Sequence, residues 1–138
     1  MRVLLDYRPA LRAATGVGAF IHHLAGALAD PDLGGPAGEP VEVTLFSSSW
    51  KDRLGPPADR GLPPTVAAID HRIPVRLLNA AWHRAEWPPI EALTRRRFDV
   101  VHSPHPLLLP SRRAAQVVTV HDLDFLGHPE RSWGEMRR

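Results

Sequence analysis

The sequence predicts an α/β protein built on a Rossmann-like parallel sheet with helices on both faces. Three observations carry that expectation. Short apolar runs alternate along the chain with amphipathic stretches. In one such stretch Val17, Phe20, Ile21, Leu24 and Leu28 fall on a single helical face. The run Gln116–His121 has the continuous apolar character of a strand covered on both sides, so it is expected to be buried.

The elements follow in order. Val3–Leu5, ending at Asp6, reads as a short buried strand, and Tyr7–Thr15 as a loop. The helix that follows is closed by Asp30-Pro31, and Pro31–Pro40 is a turn-rich connection. Val41–Phe46 is β-branched and partly alternating, a second strand. Pro56-Pro57 and Pro63-Pro64 break residues 47–64 into loop, and Thr65–Ile69 is a third strand. Val75–Glu86 is helical, with Val75, Leu78 and Trp82 on one side. Pro88-Pro89 interrupts it, and Pro89 is placed to open a further helical segment through Arg97. Phe98–His102 and Gln116–His121 are the fourth and fifth strands, and a helical pattern begins near Glu130.

Length and composition bound the rest. A chain of 138 residues accommodates one domain, here residues 1–138, able to bury roughly two thirds of its unfolded surface. The 43% hydrophobic and 23% charged fractions are those of a globular protein. Zero cysteines exclude disulfides, thiolate metal sites and a cysteine nucleophile. Seventeen basic against fifteen acidic residues leave a net charge of +2, and Lys51 is the only lysine. The basic residues are scattered apart from Arg95-Arg96-Arg97, so no nucleic-acid footprint is read. The first apolar run is too short for a secretory leader and no run approaches the roughly 18 residues of a membrane span, so a cytoplasmic location is expected. Arg76, Trp82, His83, Arg84 and Trp87 form a basic-aromatic set that a membrane surface could use. Its narrow apolar face and Pro88-Pro89 favour packing of the tryptophans in the core instead.

In a parallel sheet the ligand crevice lies beyond the carboxyl ends of the strands, and three strand ends here carry polar chemistry. After the first, Thr15-Gly16-Val17-Gly18 opens a helix whose free N–H groups suit a phosphate. A tight strand-to-helix connection with no ligand explains the same residues, since the third glycine of a dinucleotide fingerprint is missing. After the fourth, His102-Ser103-Pro104-His105-Pro106 sets two imidazoles at i and i+3. The flanking prolines and the absence of an HExxH helix argue against a metal, leaving polar lining of a cleft or plain loop capping. After the fifth, His121-Asp122 is a costly pair to place beside a buried strand without partners. Asp122 could simply cap the turn, whereas His121 points at the crevice. No G-x-S-x-G elbow accompanies them, which excludes a hydrolase triad of that type.

Together, Asp6-x-Arg8-Pro9 with Thr15-Gly16-Val17-Gly18, then Phe98–Ser103, then Val117–Leu123 with His128-Pro129-Glu130, resemble the amino-terminal domain of the GT-B-fold, family 4 glycosyltransferases. The resemblance runs over essentially the whole chain in order and spacing. It implies retaining transfer of a sugar from a nucleotide-diphosphate donor to an acceptor hydroxyl, in a cleft between two Rossmann-like domains, with no metal and no other cofactor. By that resemblance His121 is the catalytic residue, hydrogen-bonding a donor-sugar hydroxyl. Gly16 and Gly18 approach the diphosphate, Arg8 sits near the glycine loop, His102 and His105 line the acceptor side, and Asp122 belongs to the substrate site. The family's two domains need roughly 300 to 400 residues. The chain is therefore expected to be an incomplete acceptor-side half, a fragment or one subunit of a split enzyme, that catalyses no transfer alone. Two alternatives stay open: a non-catalytic glycosyltransferase-like partner subunit, and a small Rossmann-like nucleotide-binding domain.

Overall fold

The computed structural model describes residues 1–11, 15–32, 35 and 38–121. Five strands, β1 (Arg2–Asp6), β2 (Glu42–Ser48), β3 (Ala67–His71), β4 (Val100–Ser103) and β5 (Ala115–Val118), form one sheet in the order β3-β2-β1-β4-β5. Every pairing is parallel, with Leu5 opposite Leu45 on one side and opposite His102 on the other. Three helices cross between them: α1 (Gly16–Leu28), α2 (Val75–Ala85) and α3 (Ile90–Thr94). This is the α/β Rossmann-like architecture the sequence predicts.

The period-two alternation of β1 decides which helix covers which face. Leu4 points into a core with Phe46, Leu78, Trp82, Ile90 and Val101, under α2 and α3. Leu5 points the opposite way, into a core with Tyr7, Ile21, Ala25 and Leu45, under α1. Helices thus cover both faces. Trp82 is fully enclosed and donates its indole N–H to the Pro88 carbonyl at 2.9 Å.

Several boundaries differ from expectation, each for a local reason. α3 stops at Thr94 rather than Arg97, because Arg95 turns left-handed (φ 54°) and ends the helix. Glu86 does the same for α2 (φ 48°). β3 lies two residues further along than read, starting at Ala67 because a turn closed by the Val66 N–H on the Pro63 carbonyl at 3.0 Å occupies the residues before it. β5 is shorter than read and, among the described residues, it is not buried: all four of its residues are exposed and none joins either core. Trp87 also departs from the core-packing expectation at 62% exposed, in contrast to Trp82. No helix among the described residues is long and apolar enough to cross a membrane. The helical pattern near Glu130 falls outside the described residues.

Candidate functional site

From β1 the chain winds first to β2 and β3 on one side, then returns to β4 and β5 on the other. The direction of winding reverses between β1 and β4, and the crevice beyond their carboxyl ends is where such folds take ligands. The last residue of β1, Asp6, is wholly buried at this point. Arg8 follows in a single 3-10 turn, Arg8–Leu11, and folds back on it. The Arg8 backbone N–H, Nε and Nη2 donate to the two Asp6 oxygens at 3.1, 2.8 and 2.7 Å. Arg8 Nη1 reaches across to Asn79 Oδ1 on α2 at 2.8 Å. The guanidinium lies over the Trp82 ring, 4.9 Å from its centroid, so its flat face is packed as well.

His105, from the loop after β4, completes the group with Nε2 2.7 Å from Asp6 Oδ2. Its other nitrogen, Nδ1, accepts the Leu107 N–H at 3.2 Å, which assigns the ring proton to Nε2 and makes His105 a donor to Asp6. Burial acts to raise the pKa of Asp6, but the charge and hydrogen bonds of Arg8, with the hydrogen bond from His105, hold it well below the usual carboxylate range. A cavity of about 160 Å³ opens beside this cluster, lined by Arg8, Pro9, Ser49, Asp52, Asn79 and His105 among others.

The glycine loop forms the second part. Thr15 caps α1 by accepting the Gly18 N–H at 3.0 Å. The two glycines then differ in what surrounds them. Among the described residues a Cβ on Gly16 would meet nothing within 4 Å, at a helix N-terminus whose N–H groups suit an anion. A Cβ on Gly18 would lie 3.2 Å from Thr15 Oγ1 and 3.4 Å from Ala10 Cα, so this glycine lets α1 pack against the 8–11 turn.

The third part joins β4 to the segment after β5. His102 Nε2 is 2.8 Å from Thr119 Oγ1, and its burial lowers its pKa, which favours the neutral imidazole. His121 is exposed; its Nε2–H donates to the Pro104 carbonyl at 3.0 Å, and its ring meets Phe20 of α1 edge-on at 5.1 Å. That contact carries His121 from the end of the sheet to the first turns of α1. Asp122 lies outside the described residues.

Arg8 and His105 therefore meet through Asp6, and His121 reaches the helix that Gly16 opens. His102 is tied to Thr119 rather than to either group. The sequence assigns no role to Asn79, Ser49 and Asp52 of the cavity wall, nor to Asp6 behind it, although Asp6 stands in the motif of the resemblance. Asp6 carried a signal, a carboxylate closing an apolar strand with an arginine two residues on, which calls for a buried partner. The others carried none, because their place depends on how α2 and the loop after β2 dock.

Fold and site together define a Rossmann-like α/β domain with a polar crevice at its switch point. No family model, curated protein or solved structure matches the chain.

Proposed function

We propose that the chain is the acceptor-side half of a retaining glycosyltransferase of the GT-B, family 4 type. The observation that carries this reading is the convergence of three loops, after β1, β4 and β5, on one switch-point crevice. Each brings residues of the motifs on which the resemblance rests. Among the described residues nothing crowds Gly16 at the N-terminus of α1, where backbone N–H groups and the helix dipole suit a leaving nucleotide diphosphate. His121 uses Nε2–H on Pro104, which leaves Nδ1 to accept a hydrogen bond from a donor-sugar hydroxyl. His102, His105 and Arg8 belong to the acceptor side, the first through its ring and the other two by building the cavity wall. The nucleotide itself is held mainly by the second domain of the GT-B architecture. A cavity of about 160 Å³, below the roughly 300 Å³ where ligand pockets begin, fits one wall of a shared site.

The test is an amide chemical-shift titration of the full chain with a panel of nucleotide-diphosphate sugars, run beside a transfer assay. The reading expects weak shifts at Gly16, Val17 and His121 and no transfer by this chain alone. Shifts confined to other regions, or turnover without a second domain, would overturn it.

A further inference from the structure

We propose that the outward face of α2, with Trp87 beyond its end and Leu108 and Arg112 across the neighbouring cavity, docks on an anionic lipid surface. This goes beyond the chemistry of the crevice and does not depend on it. The inward stripe of α2 is spent on the core, where Leu78 and Trp82 are buried. Its solvent side carries Arg76, Leu77, His83 and Arg84, all exposed. Arg76 and His83 stand at i and i+7, as do Leu77 and Arg84, so each pair lies two turns apart along one side of the helix. Leu77 is 64% exposed and Trp87, directly after the residue that ends α2, is 62% exposed. Two large apolar side chains thus stand in water among cations. A cavity of about 460 Å³ joins this end of α2 to the loop after β4, with His83 on one wall and Leu108 and Arg112 on the other. Leu108 is exposed as well.

Charge selects the kind of occupant. From Arg72 through Ala85, and again from His102 through His121, the sequence holds no acidic residue. Between those segments Glu91 is engaged by Ser111 and by the Arg112 and Arg113 amides, and Asp99 by Arg2. Among the described residues that leaves Glu86 as the acidic side chain beside four basic ones. A guanidinium serves the phosphate of a lipid headgroup or of a nucleic acid alike. The apolar side chains separate the two. Leu77 and Leu108 gain nothing on a solvated sugar-phosphate backbone, whereas the interface of a bilayer accepts leucine and the apolar body of tryptophan together. Docking that is more than marginal combines apolar insertion with basic residues, and this face carries both.

The experiment is cosedimentation of the full chain with vesicles of phosphatidylcholine alone and of phosphatidylcholine mixed with phosphatidylglycerol, read together with tryptophan emission. Binding is expected to the anionic vesicles, weakening as ionic strength rises and accompanied by a blue shift. The shift should vanish in Trp87→Phe and survive in Trp50→Phe, since Trp50 belongs to the loop after β2. An arginine near an anionic surface is worth about fivefold, so Arg76→Gln with Arg84→Gln should lower partitioning about 25-fold. Leu77→Ser should lower it about tenfold. These side chains are exposed, and the urea midpoint of each variant should stay where it is. Absence of binding to the anionic vesicles would overturn the proposal, as would a blue shift that survives Trp87→Phe. Polyuridylate bound as tightly as the vesicles, or vesicle binding that Leu77→Ser leaves unchanged, would overturn it too, and would mark the face as a general polyanion site.

Discussion

Replacing Asp6 by asparagine isolates the energetics of the site from its ligand chemistry. In the parent, Arg8 sends three hydrogen bonds into the carboxylate and His105 sends a fourth at 2.7 Å. Both partners are out of water, Asp6 at 0% and Arg8 at 8% exposure. The asparagine keeps the volume but removes the charge and turns one oxygen into an N–H donor that faces other donors. The guanidinium then stays buried beside Trp82 without its counter-charge. Removing one partner of a buried pair costs roughly 3 to 5 kcal/mol. The retained carbonyl oxygen still accepts one bond, so the lower end, about 3 kcal/mol, is expected. That is a large share of the 5 to 15 kcal/mol by which a domain is stable. With a urea slope of about 1.5 kcal/mol/M, the midpoint should fall by about 2 M at constant slope. Urea titration followed by far-UV circular dichroism measures it. A loss under about 1 kcal/mol would show that Arg8 is solvated and that the pair holds nothing in place. The double variant Asp6→Leu with Arg8→Met supplies the second arm, since removing both charges together removes the uncompensated cation. It should be more stable than Asp6→Asn; if it is equally unstable, packing and not charge isolation is responsible.

Three further outcomes follow from the same geometry. Asp6 titrates lower in the folded chain than in the unfolded one, so its contribution is present above about pH 4 and is lost as pH falls further. Acid unfolding of Asp6→Asn should show a correspondingly shallower dependence on pH below 4. Thr15→Ala removes the cap on Gly18 N and should cost about 1 kcal/mol in urea unfolding. Gly16→Ala meets open space and should leave the midpoint within about 0.5 kcal/mol, whereas Gly18→Ala presses on Thr15 and Ala10 and should cost about 1 kcal/mol. Equal effects of the two glycine substitutions would contradict the packing described for them.

The parts of the fold that the sequence reveals are those governed by local pattern. The α1 stripe from Val17 to Leu28 and the apolar run of β1 are periodic signals, and both elements form where the pattern puts them. The end of α3 is illegible because nothing about Arg95 favours the left-handed backbone that it adopts. β5 was misread for a related reason. Gln116, Val117 and Val118 read alike whether or not the faces of their strand are covered, and only the packing of the cores, which none of them joins, tells the two apart. At the site, Arg8 and His105 were visible as polar residues at strand ends. Asn79 was not, since its bond to Arg8 spans 71 positions and exists only after α2 has packed.

The crevice has walls of unequal permanence. β1 is hydrogen-bonded on both sides and places Leu4 and Leu5 in opposite cores. Its amides should exchange with solvent only when the whole domain opens. Among the described residues β5 has one hydrogen-bonded neighbour and four exposed residues, so its amides should exchange through local opening at far lower cost. A ligand that bridges the two therefore leaves its deuterium-exchange record on one side alone. Protection should rise across residues 115–121, while residues 3–6 already exchange at the floor set by global unfolding.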